Sequence, residues 1–213
     1  MTTARTIPAL GVVILAAGAS SRMGRPKLLL PWAGSTIVSH LISQWRGLGA
    51  AQIAIVGRPD DEELMDIVNT EASAQKPSSI HYVVNLQPER GMFSSIVCAA
   101  SWNGWQKEIS HWAVILGDQP HLREETLRRL LDFAALHPDA ICQPAFNSKT
   151  AHPVVLPRQA FETLRNTRAQ TLKEFLKLDA FPRVQLEIED PGLALDLDTP
   201  EDYIQAQGII PVA

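Results

Sequence analysis

The chain has 213 residues, of which 46% are hydrophobic, and a formal net charge of −4. This composition excludes a disordered chain, and the length is enough for one α/β domain with a sizeable core. The negative charge gives no general reason to bind nucleic acid or an anionic membrane, so any anion-binding site must be local.

The first predicted element is a buried strand at residues 12–15, which is followed by a loop rich in small residues. The strand is short, β-branched and apolar on both faces, as is typical of a parallel sheet. Small residues and glycines in the loop allow a ligand to approach the main chain closely. Three cations, Arg22, Arg25 and Lys27, accompany the backbone N–H groups of this loop. The combination suits a polyphosphate better than a plain surface turn.

The loop differs from two common phosphate-binding motifs. Five residues rather than four separate Gly18 from Gly24, and Arg25-Pro26 stands where a Walker A motif has Lys-Ser or Lys-Thr. The chain also lacks the Gly-x-Gly-x-x-Gly fingerprint of dinucleotide-binding proteins. The sequence therefore disfavours a standard Walker A loop and a Rossmann oxidoreductase.

Strands and helices alternate along the rest of the chain. Short β-branched runs predict strands, and apolar residues spaced by three and four predict amphipathic helices. Further strands are predicted at residues 53–56, 80–84, 112–116, 140–144 and 184–188, the last as an edge strand. Helices are predicted from Ser35 or Thr36 to residue 48, at 62–71, 92–102, 122–136, 157–164 and 171–178, and after Thr199. The alternation predicts an α/β fold, a single Rossmann-like three-layer domain whose mostly parallel sheet is covered on both faces.

Asn85 ends the predicted strand at 80–84 and precedes a turn with Gly91 and a helix start with Ser94 and Ser95. Open parallel sheets bind ligands at the carboxyl ends of their strands, so this segment suits nucleotide recognition. It equally suits an Asn-Pro loop with a serine at the helix N-cap. The residue chemistry alone leaves both interpretations open.

Acidic residues follow two other extended segments. Asp118 lies in a Gly-Asp-Gln-Pro motif just after the predicted strand at 112–116. Beside a polyphosphate it would hold Mg²⁺, and otherwise it would cap the next helix. Asp196 and Asp198 alternate on an extended segment, so their side chains share one face. The Thr199-Pro200 helix start explains neither of these two aspartates well.

Two polar stretches lie in the last third of the chain. His152 follows a polar loop at 145–151, and it suits a structural hydrogen bond. The stretch 165–170 contains two arginines, Arg165 and Arg168, and no glycine.

Together these motifs resemble those of the MobA-like nucleotidyltransferases. The segment from Val12 to Lys27, VVILAAGASSRMGRPK, is similar to the family signature L-A-(A/G)-G-x-S-x-R-M-G-x-x-K. The Gly-Asp-Gln-Pro motif and the D-x-D-T-P-E-D segment resemble two further signatures, and the resemblance extends to Tyr203. Ala17 stands where the guanylyltransferase branch usually has Gly, which favours the molybdenum cofactor cytidylyltransferase branch.

The resemblance implies a fold of the nucleotide-diphospho-sugar transferase type and one nucleotidyltransferase domain over residues 1–213, with a motif-bearing core at 10–207. It implies transfer of CMP from CTP to a phosphorylated acceptor, molybdenum cofactor, with Mg²⁺ as cofactor, pyrophosphate as leaving group and a client molybdoenzyme as a further partner. Two alternatives stay open, a transferase for a sugar phosphate or another small phosphate acceptor, and a non-catalytic carrier of molybdenum cofactor.

The resemblance also implies roles for individual residues. The implied catalytic residues are Lys27, Arg22 and Asp118. The implied nucleotide-binding residues are Leu15, Ala16, Ala17, Gly18, Arg22, Lys27, Asn85, Gly91, Ser94 and Asp118. The implied metal ligands are Asp118 and Asp198, with Asp196 in support, and the implied acceptor-binding residues are His152 and Arg168. Two departures from the family pattern concern the acceptor side: Ala151 replaces a usual Gly, and only Arg168 or Arg165 can supply an arginine that many members carry in a glycine-containing stretch.

The compartment is predicted from cysteine usage and the absence of long apolar runs. Cys98 and Cys142 indicate neither a disulfide framework nor a zinc site, and they fit a reducing compartment. No apolar run approaches the length of a membrane span, and residues 1–8 lack a signal-peptide core. We therefore expect a cytoplasmic protein without nucleic-acid or membrane partners.

Overall fold

The computed structural model describes residues 7, 9–18, 23, 26–74, 79–178 and 180–209. The described part includes the first half of the glycine loop and Lys27. Arg22, which the sequence assigns to catalysis and nucleotide binding, lies outside the described residues, as do Gly24 and Arg25.

The helices and strands alternate as the sequence predicts. The strands are β1 (Leu10–Leu15), β2 (Pro31–Trp32), β3 (Ser35–Thr36), β4 (Ala50–Gly57), β5 (Ile80–Val84), β6 (His111–Leu116), β7 (Ile141–Phe146), β8 (Lys149–Thr150), β9 (Val154–Pro157) and β10 (Arg183–Glu187). The α-helices are α1 (Ile37–Gly47), α2 (Glu62–Ser73), α3 (Met92–Ser101), α4 (Glu124–Leu136), α5 (Arg158–Thr163), α6 (Leu172–Leu176) and α7 (Pro200–Gln207). Short 3-10 helices occupy Lys27–Leu29, Pro88–Arg90, Leu164–Asn166 and Pro191–Ala194.

One large sheet runs through the described part of the chain in the order β10-β7-β9-β6-β1-β4-β5, with β8 paired to β7. The pairs β1–β4, β1–β6, β4–β5 and β7–β10 are parallel. Strand β9 is antiparallel to β6 and β7, and β8 is antiparallel to β7. The predicted mostly parallel α/β sheet is confirmed, and β10 is an edge strand.

Helices cover both faces of the sheet because its central strands are apolar on both sides. In β1, Val12 and Ile14 belong to a core cluster with α1, α2 and α4, whereas Val13 belongs to a second cluster with α3, α5 and α6. All three β1 side chains are fully buried. Successive strand side chains point to opposite faces, so one short apolar strand serves both layers of the core. The predicted three-layer arrangement is confirmed.

Several features of the fold differ from the sequence prediction, among them the two-residue strands β2, β3 and β8, which the sequence does not predict. Strand β9 was not predicted, because residues 154–157 follow the polar loop and are too few for a periodic signal. The strand is fully buried and inserts antiparallel between β6 and β7. Helix α4 begins at Glu124 rather than at Leu122, whose side chain is buried ahead of the helix. The predicted helix start at Thr199 is confirmed by a capping box between Thr199 and Asp202.

Backbone hydrogen bonds continue past the ends of the central strands and bring their carboxyl ends together. The Ala16 amide donates to the Val56 carbonyl at 2.9 Å, and the Gly117 amide donates to the Leu15 carbonyl at 3.1 Å. The residues that follow β1, β4 and β6 therefore share one edge of the sheet. Within the described residues, no helix combines the length and the apolar character needed to cross a lipid bilayer.

Candidate active site

Lys27 and two aspartates meet at this edge of the sheet. Lys27 Nζ donates to Asp198 Oδ1 at 2.9 Å and to Asp118 Oδ2 at 3.1 Å. The Lys27 side chain is only 13% exposed, and the two carboxylates are 27% and 33% exposed. One ammonium group therefore bridges the two residues that the sequence assigns to a metal ion.

The local fold explains why these three side chains converge. Asp118 is the second residue after β6, and its carbonyl accepts a 3.1 Å hydrogen bond from the Leu197 amide. This bond holds the segment that carries Asp198 beside the end of β6. Gly117 permits its backbone to pack closely against Leu15 and Leu28. A Cβ at this position would lie 2.7 Å from the Leu15 carbonyl oxygen and 2.8 Å from a methyl group of Leu28. Leu28 belongs to the same short helix as Lys27, so close packing at Gly117 also places the lysine.

The two carboxylates keep Lys27 charged. Partial burial alone would lower the pKa of Lys27, but hydrogen bonds and charge from Asp198 and Asp118 outweigh burial and raise it. For Asp196, burial raises the pKa, and the charge of Asp118 adds to this effect. The site thus places the charged ammonium group of Lys27 beside several carboxylates.

A cavity of about 450 Å³ opens beside Lys27, a volume in the range of small-molecule sites. The residues of its lining that the sequence assigns to the site are Leu15, Ala16, Ala17, Gly18, Lys27, Gly91, Asp118 and Asp198. The others are Leu28, Arg58, Pro88, Glu89, Met92, Ser95, Leu116 and Gly117. The structure therefore brings the glycine loop, the Gly-Asp-Gln-Pro motif and the D-x-D segment around one volume.

Asn85 lies next to this cavity but is not among the residues that line it. Its Nδ2 donates to Ser94 Oγ at 2.8 Å and to Ser95 Oγ at 3.0 Å, and its Oδ1 accepts from the Gln87 amide. Ser94 Oγ in turn donates to the carbonyls of Gln87 and Gly91. Asn85 and Ser94 therefore shape the turn that presents Gly91 and Ser95, and direct binding of nucleotide by either stays a prediction.

His152 is placed close to Asp118 but outside the cavity lining. Its Nδ1 lies 3.2 Å from the Val114 carbonyl, and because a carbonyl only accepts, Nδ1 carries the proton. Burial lowers the pKa of His152, so the imidazole is neutral near pH 7. In this tautomer Nε2 offers a lone pair to a ligand rather than a proton.

The two candidate arginines of the acceptor side have different surroundings. Arg165 Nε donates to the Ala100 carbonyl at 2.5 Å, which ties it to the end of α3. Arg168 is exposed, and its carbonyl accepts from Gln170. The structure does not place Arg168 among the cavity residues, so its binding role stays a prediction.

Sequence reasoning gave no role in this region to Arg58 and Gln119. Arg58 lines the cavity from the end of β4, and its Nε lies 3.0 Å from Asp60 Oδ1. Its position directly after a predicted strand was the available signal. Gln119 donates through Nε2 to Asp196 Oδ1 at 2.9 Å. No local pattern links Gln119 to a residue 77 positions away.

The donor set at Asp118 and Asp198 fits a hard divalent cation. Their carboxylate oxygens already converge on one cationic group, and Mg²⁺ prefers oxygen ligands and uses only one or two protein carboxylates beside phosphates and water. Among the described residues, no group of three or more His, Cys, Asp or Glu side chains is arranged to hold a metal ion. The two aspartates therefore suit an ion that is also bound by a phosphate ligand, and not an ion that is held by protein ligands alone.

Several curated relatives, including the following two, match nearly the whole chain. It is 26% identical over 200 residues to the molybdenum cofactor cytidylyltransferase of Escherichia coli (strain K12), which covers 93% of this chain and 96% of that protein. It is 28% identical over 207 residues to the nicotine blue oxidoreductase of Paenarthrobacter nicotinovorans, covering 92% and 95% of the two chains. Similarity over almost full length therefore extends to relatives with different stated activities.

Solved structures share the fold at lower identity. The Rv0371c protein of Mycobacterium tuberculosis H37Rv in complex with manganese has a TM-score of 0.66 and 24% identity, covering 95% of this chain and all of that chain. A CMP:2-keto-3-deoxy-manno-octonic acid synthetase in complex with CTP has a TM-score of 0.73 and 13% identity. The match covers 94% of this chain and 98% of that chain. The fold is thus that of the nucleotide-diphospho-sugar transferases, as the sequence predicts.

A match to a family model covers most of the chain and includes the residues that line the cavity from the glycine loop and the end of β6. Residues 12–186 match the model described as the MobA-like NTP transferase domain. The three motifs from which the sequence predicts this family meet at one edge of the sheet. The chain belongs to the MobA-like NTP transferase family.

Proposed function

We propose that this chain transfers CMP from CTP to the phosphate group of molybdenum cofactor, with release of pyrophosphate, through a single nucleotidyltransferase domain. The observation that carries the proposal is the placement of Lys27 between Asp118 and Asp198 beside the cavity. A lysine and two carboxylates next to a small-residue loop are the groups that a polyphosphate and its metal ion require. The choice of CTP and molybdenum cofactor rests on the cytidylyltransferase relative and on Ala17.

In the proposed reaction, an oxygen of the acceptor phosphate attacks the α-phosphorus of CTP. The bond between that phosphorus and the oxygen leading to the β-phosphorus breaks, and pyrophosphate leaves with the electron pair. The acceptor phosphate is already ionised at neutral pH, so the step needs no general base. This fits a neutral His152 that lies outside the cavity lining.

The protein's contribution is positioning and charge neutralisation. The backbone at Ala17 and Gly18 would bind the polyphosphate, and Lys27 would neutralise charge that grows on the oxygen between the α- and β-phosphates. Asp118 and Asp198 would hold a divalent cation, Mg²⁺, which supplies further charge neutralisation at the α-phosphate when bound. Arg22 would add a second cation from the glycine loop.

The test is a screen of nucleoside triphosphates against phosphorylated acceptors, read by pyrophosphate release. CTP with Mg²⁺ and molybdenum cofactor should give the highest rate, and Asp198→Asn is the inactive control. Release only with a sugar phosphate would replace the acceptor but keep the reaction class. Tight binding of molybdenum cofactor without pyrophosphate release would instead identify a carrier.

A further inference from the structure

Two segments that are distant in sequence lie side by side, and they carry Asp118 and Asp198. The first, residues 118–126, runs from the end of β6 into α4, and the second, residues 190–198, leads to α7. The second segment contains no β-strand, so no sheet ladder fixes its position. Its alignment depends on the Leu197–Asp118 backbone bond and on buried side chains of the first segment.

Gln119 makes the contact nearest to the carboxylate pair. It is 4% exposed, and its Nε2 donates to Asp196 Oδ1 at 2.9 Å. The carbonyl of Asp196 accepts from the Asp198 amide at 3.0 Å. Gln119 thus holds a residue that is bonded directly to the backbone of Asp198.

His121 and Thr126 hold the other end of the second segment. His121 is also 4% exposed, and its Nε2 donates to the Gly192 carbonyl at 3.0 Å. The Gly192 amide donates to Asp190 Oδ1 at 3.0 Å, and Thr126 Oγ1 donates to Asp190 Oδ2 at 2.5 Å. A Cβ on Gly192 would lie 3.1 Å from Asp190 Oδ1 and 3.2 Å from His121 Cδ2, so this contact leaves almost no free space.

None of these side chains lines the cavity, so they do not contact a ligand there. We propose that Gln119, His121 and Thr126 are positioning residues, which fix the 190–198 segment so that Asp198 faces Asp118 across one cation. The inference rests on the proposed function, since the cation is the one that the two aspartates would hold. It assigns the Gly-Asp-Gln-Pro-His sequence two tasks: Asp118 binds the ion, and the residues after it align the second ligand.

Hydrogen bonds are directional, whereas apolar packing tolerates sliding. A buried donor that loses its partner is strongly disfavoured, so these contacts favour one register of the loop. Residues that orient metal ligands in this way typically change metal affinity or activity by about 10–100-fold when they are replaced. A shift of the Asp198 carboxylate should therefore appear as weaker cation binding.

The experiment compares two near-isosteric substitutions, Gln119→Met and Gln52→Met, in the full chain. Gln52 is a matched control because it is 2% exposed and bonds the Gly104 carbonyl and the Gln106 amide, both at 2.8 Å, far from the aspartates in the sheet. Binding of Mn²⁺ is measured by electron paramagnetic resonance without nucleotide, and the thermal midpoint is measured for each variant. We expect both variants to lose stability, and only Gln119→Met to bind Mn²⁺ ~10-fold more weakly.

A second pair of variants tests whether the N–H group of His121 is required. His121→Gln keeps an N–H group that can reach the Gly192 carbonyl, whereas His121→Leu removes it, so His121→Gln should retain more Mn²⁺ affinity. Three results would each overturn the inference. They are equal Mn²⁺ affinities of the wild type and Gln119→Met, equal losses of Mn²⁺ affinity in Gln119→Met and Gln52→Met, and a wild type that does not bind Mn²⁺. Pyrophosphate release is assayed separately, so a wild type that binds Mn²⁺ and passes both comparisons but releases no pyrophosphate would overturn only the proposed function.

Discussion

Lys27 Nζ lies 2.9 Å from Asp198 Oδ1, although 171 positions separate the two residues in sequence. The same ammonium lies 3.1 Å from Asp118 Oδ2. The expected phosphate-binding lysine and the expected metal ligands are therefore in direct contact. A cation held by both aspartates would compete with Lys27 for these two carboxylates.

The first prediction concerns the contribution of Lys27 to kcat. If Lys27 stabilises charge that appears only in the transition state, Lys27→Ala should lower kcat by ~10²–10³-fold and change CTP binding much less. Lys27→Arg should be a poor substitute, because a planar guanidinium does not replace a compact point charge. Steady-state kinetics check this, with the exposed Lys149→Ala as control. A normal kcat with a raised KM would mean that Lys27 only binds substrate.

The second prediction concerns competition between Lys27 and the metal ion. Without nucleotide, Lys27→Ala should bind Mn²⁺ more tightly than the wild type, because the ammonium no longer holds Asp118 and Asp198. Arg58→Ala removes another cation of the cavity whose guanidinium pairs with Asp60, so it should have a smaller effect. Titration by electron paramagnetic resonance measures both. Unchanged or weaker Mn²⁺ binding by Lys27→Ala would show that lysine and metal use different positions.

The third prediction concerns the two aspartates as one unit. Asp118→Asn and Asp198→Asn should each abolish most turnover, and the double variant should be little worse than either single, since both act through one ion. The fold should be retained in all three, because both carboxylates are partly exposed and do not belong to the core. Turnover and circular dichroism are the measurements. Additive losses in the double variant would mean that the two residues act independently.

Most of the fold could be predicted from local sequence patterns. Strand β1 is apolar on both faces, and Thr199-Pro200 starts a helix, so each is encoded within a few residues. Strand β9 has only four residues and becomes a strand because β6 and β7 offer it two partners. That context lies outside any local window of sequence.

The candidate site shows the same division between local and long-range information. The motifs indicate which residues are chemically competent. Parallel topology explains why the glycine loop and Asp118 share an edge, whereas Asp198 reaches this edge through the backbone bond between Leu197 and Asp118. The contacts of Gln119 with Asp196 and of Asn85 with Ser94 depend on packing that periodicity does not encode. For Asn85 the structure adds a shaping role that residue type alone left undecided.

The fourth prediction concerns the nucleotide. Ala17 lines the cavity and adds a methyl group where the guanylyltransferase branch has Gly, which should disfavour a purine if the loop backs the base. We expect a higher kcat/KM for CTP than for GTP, and Ala17→Gly should narrow the difference. Competition between the two nucleotides in one reaction measures this ratio directly. Equal or better use of GTP by the wild type would exclude the cytidylyl assignment.

The most direct test of the central claim follows the phosphates of CTP separately. The enzyme is mixed with Mg²⁺, molybdenum cofactor and CTP that carries ³²P at either the α- or the γ-position. Nucleotidyl transfer predicts that the α-label appears in the acceptor product and the γ-label in pyrophosphate. Transfer of the γ-label to the acceptor, or retention of both labels in CTP while the cofactor is bound, would contradict the account.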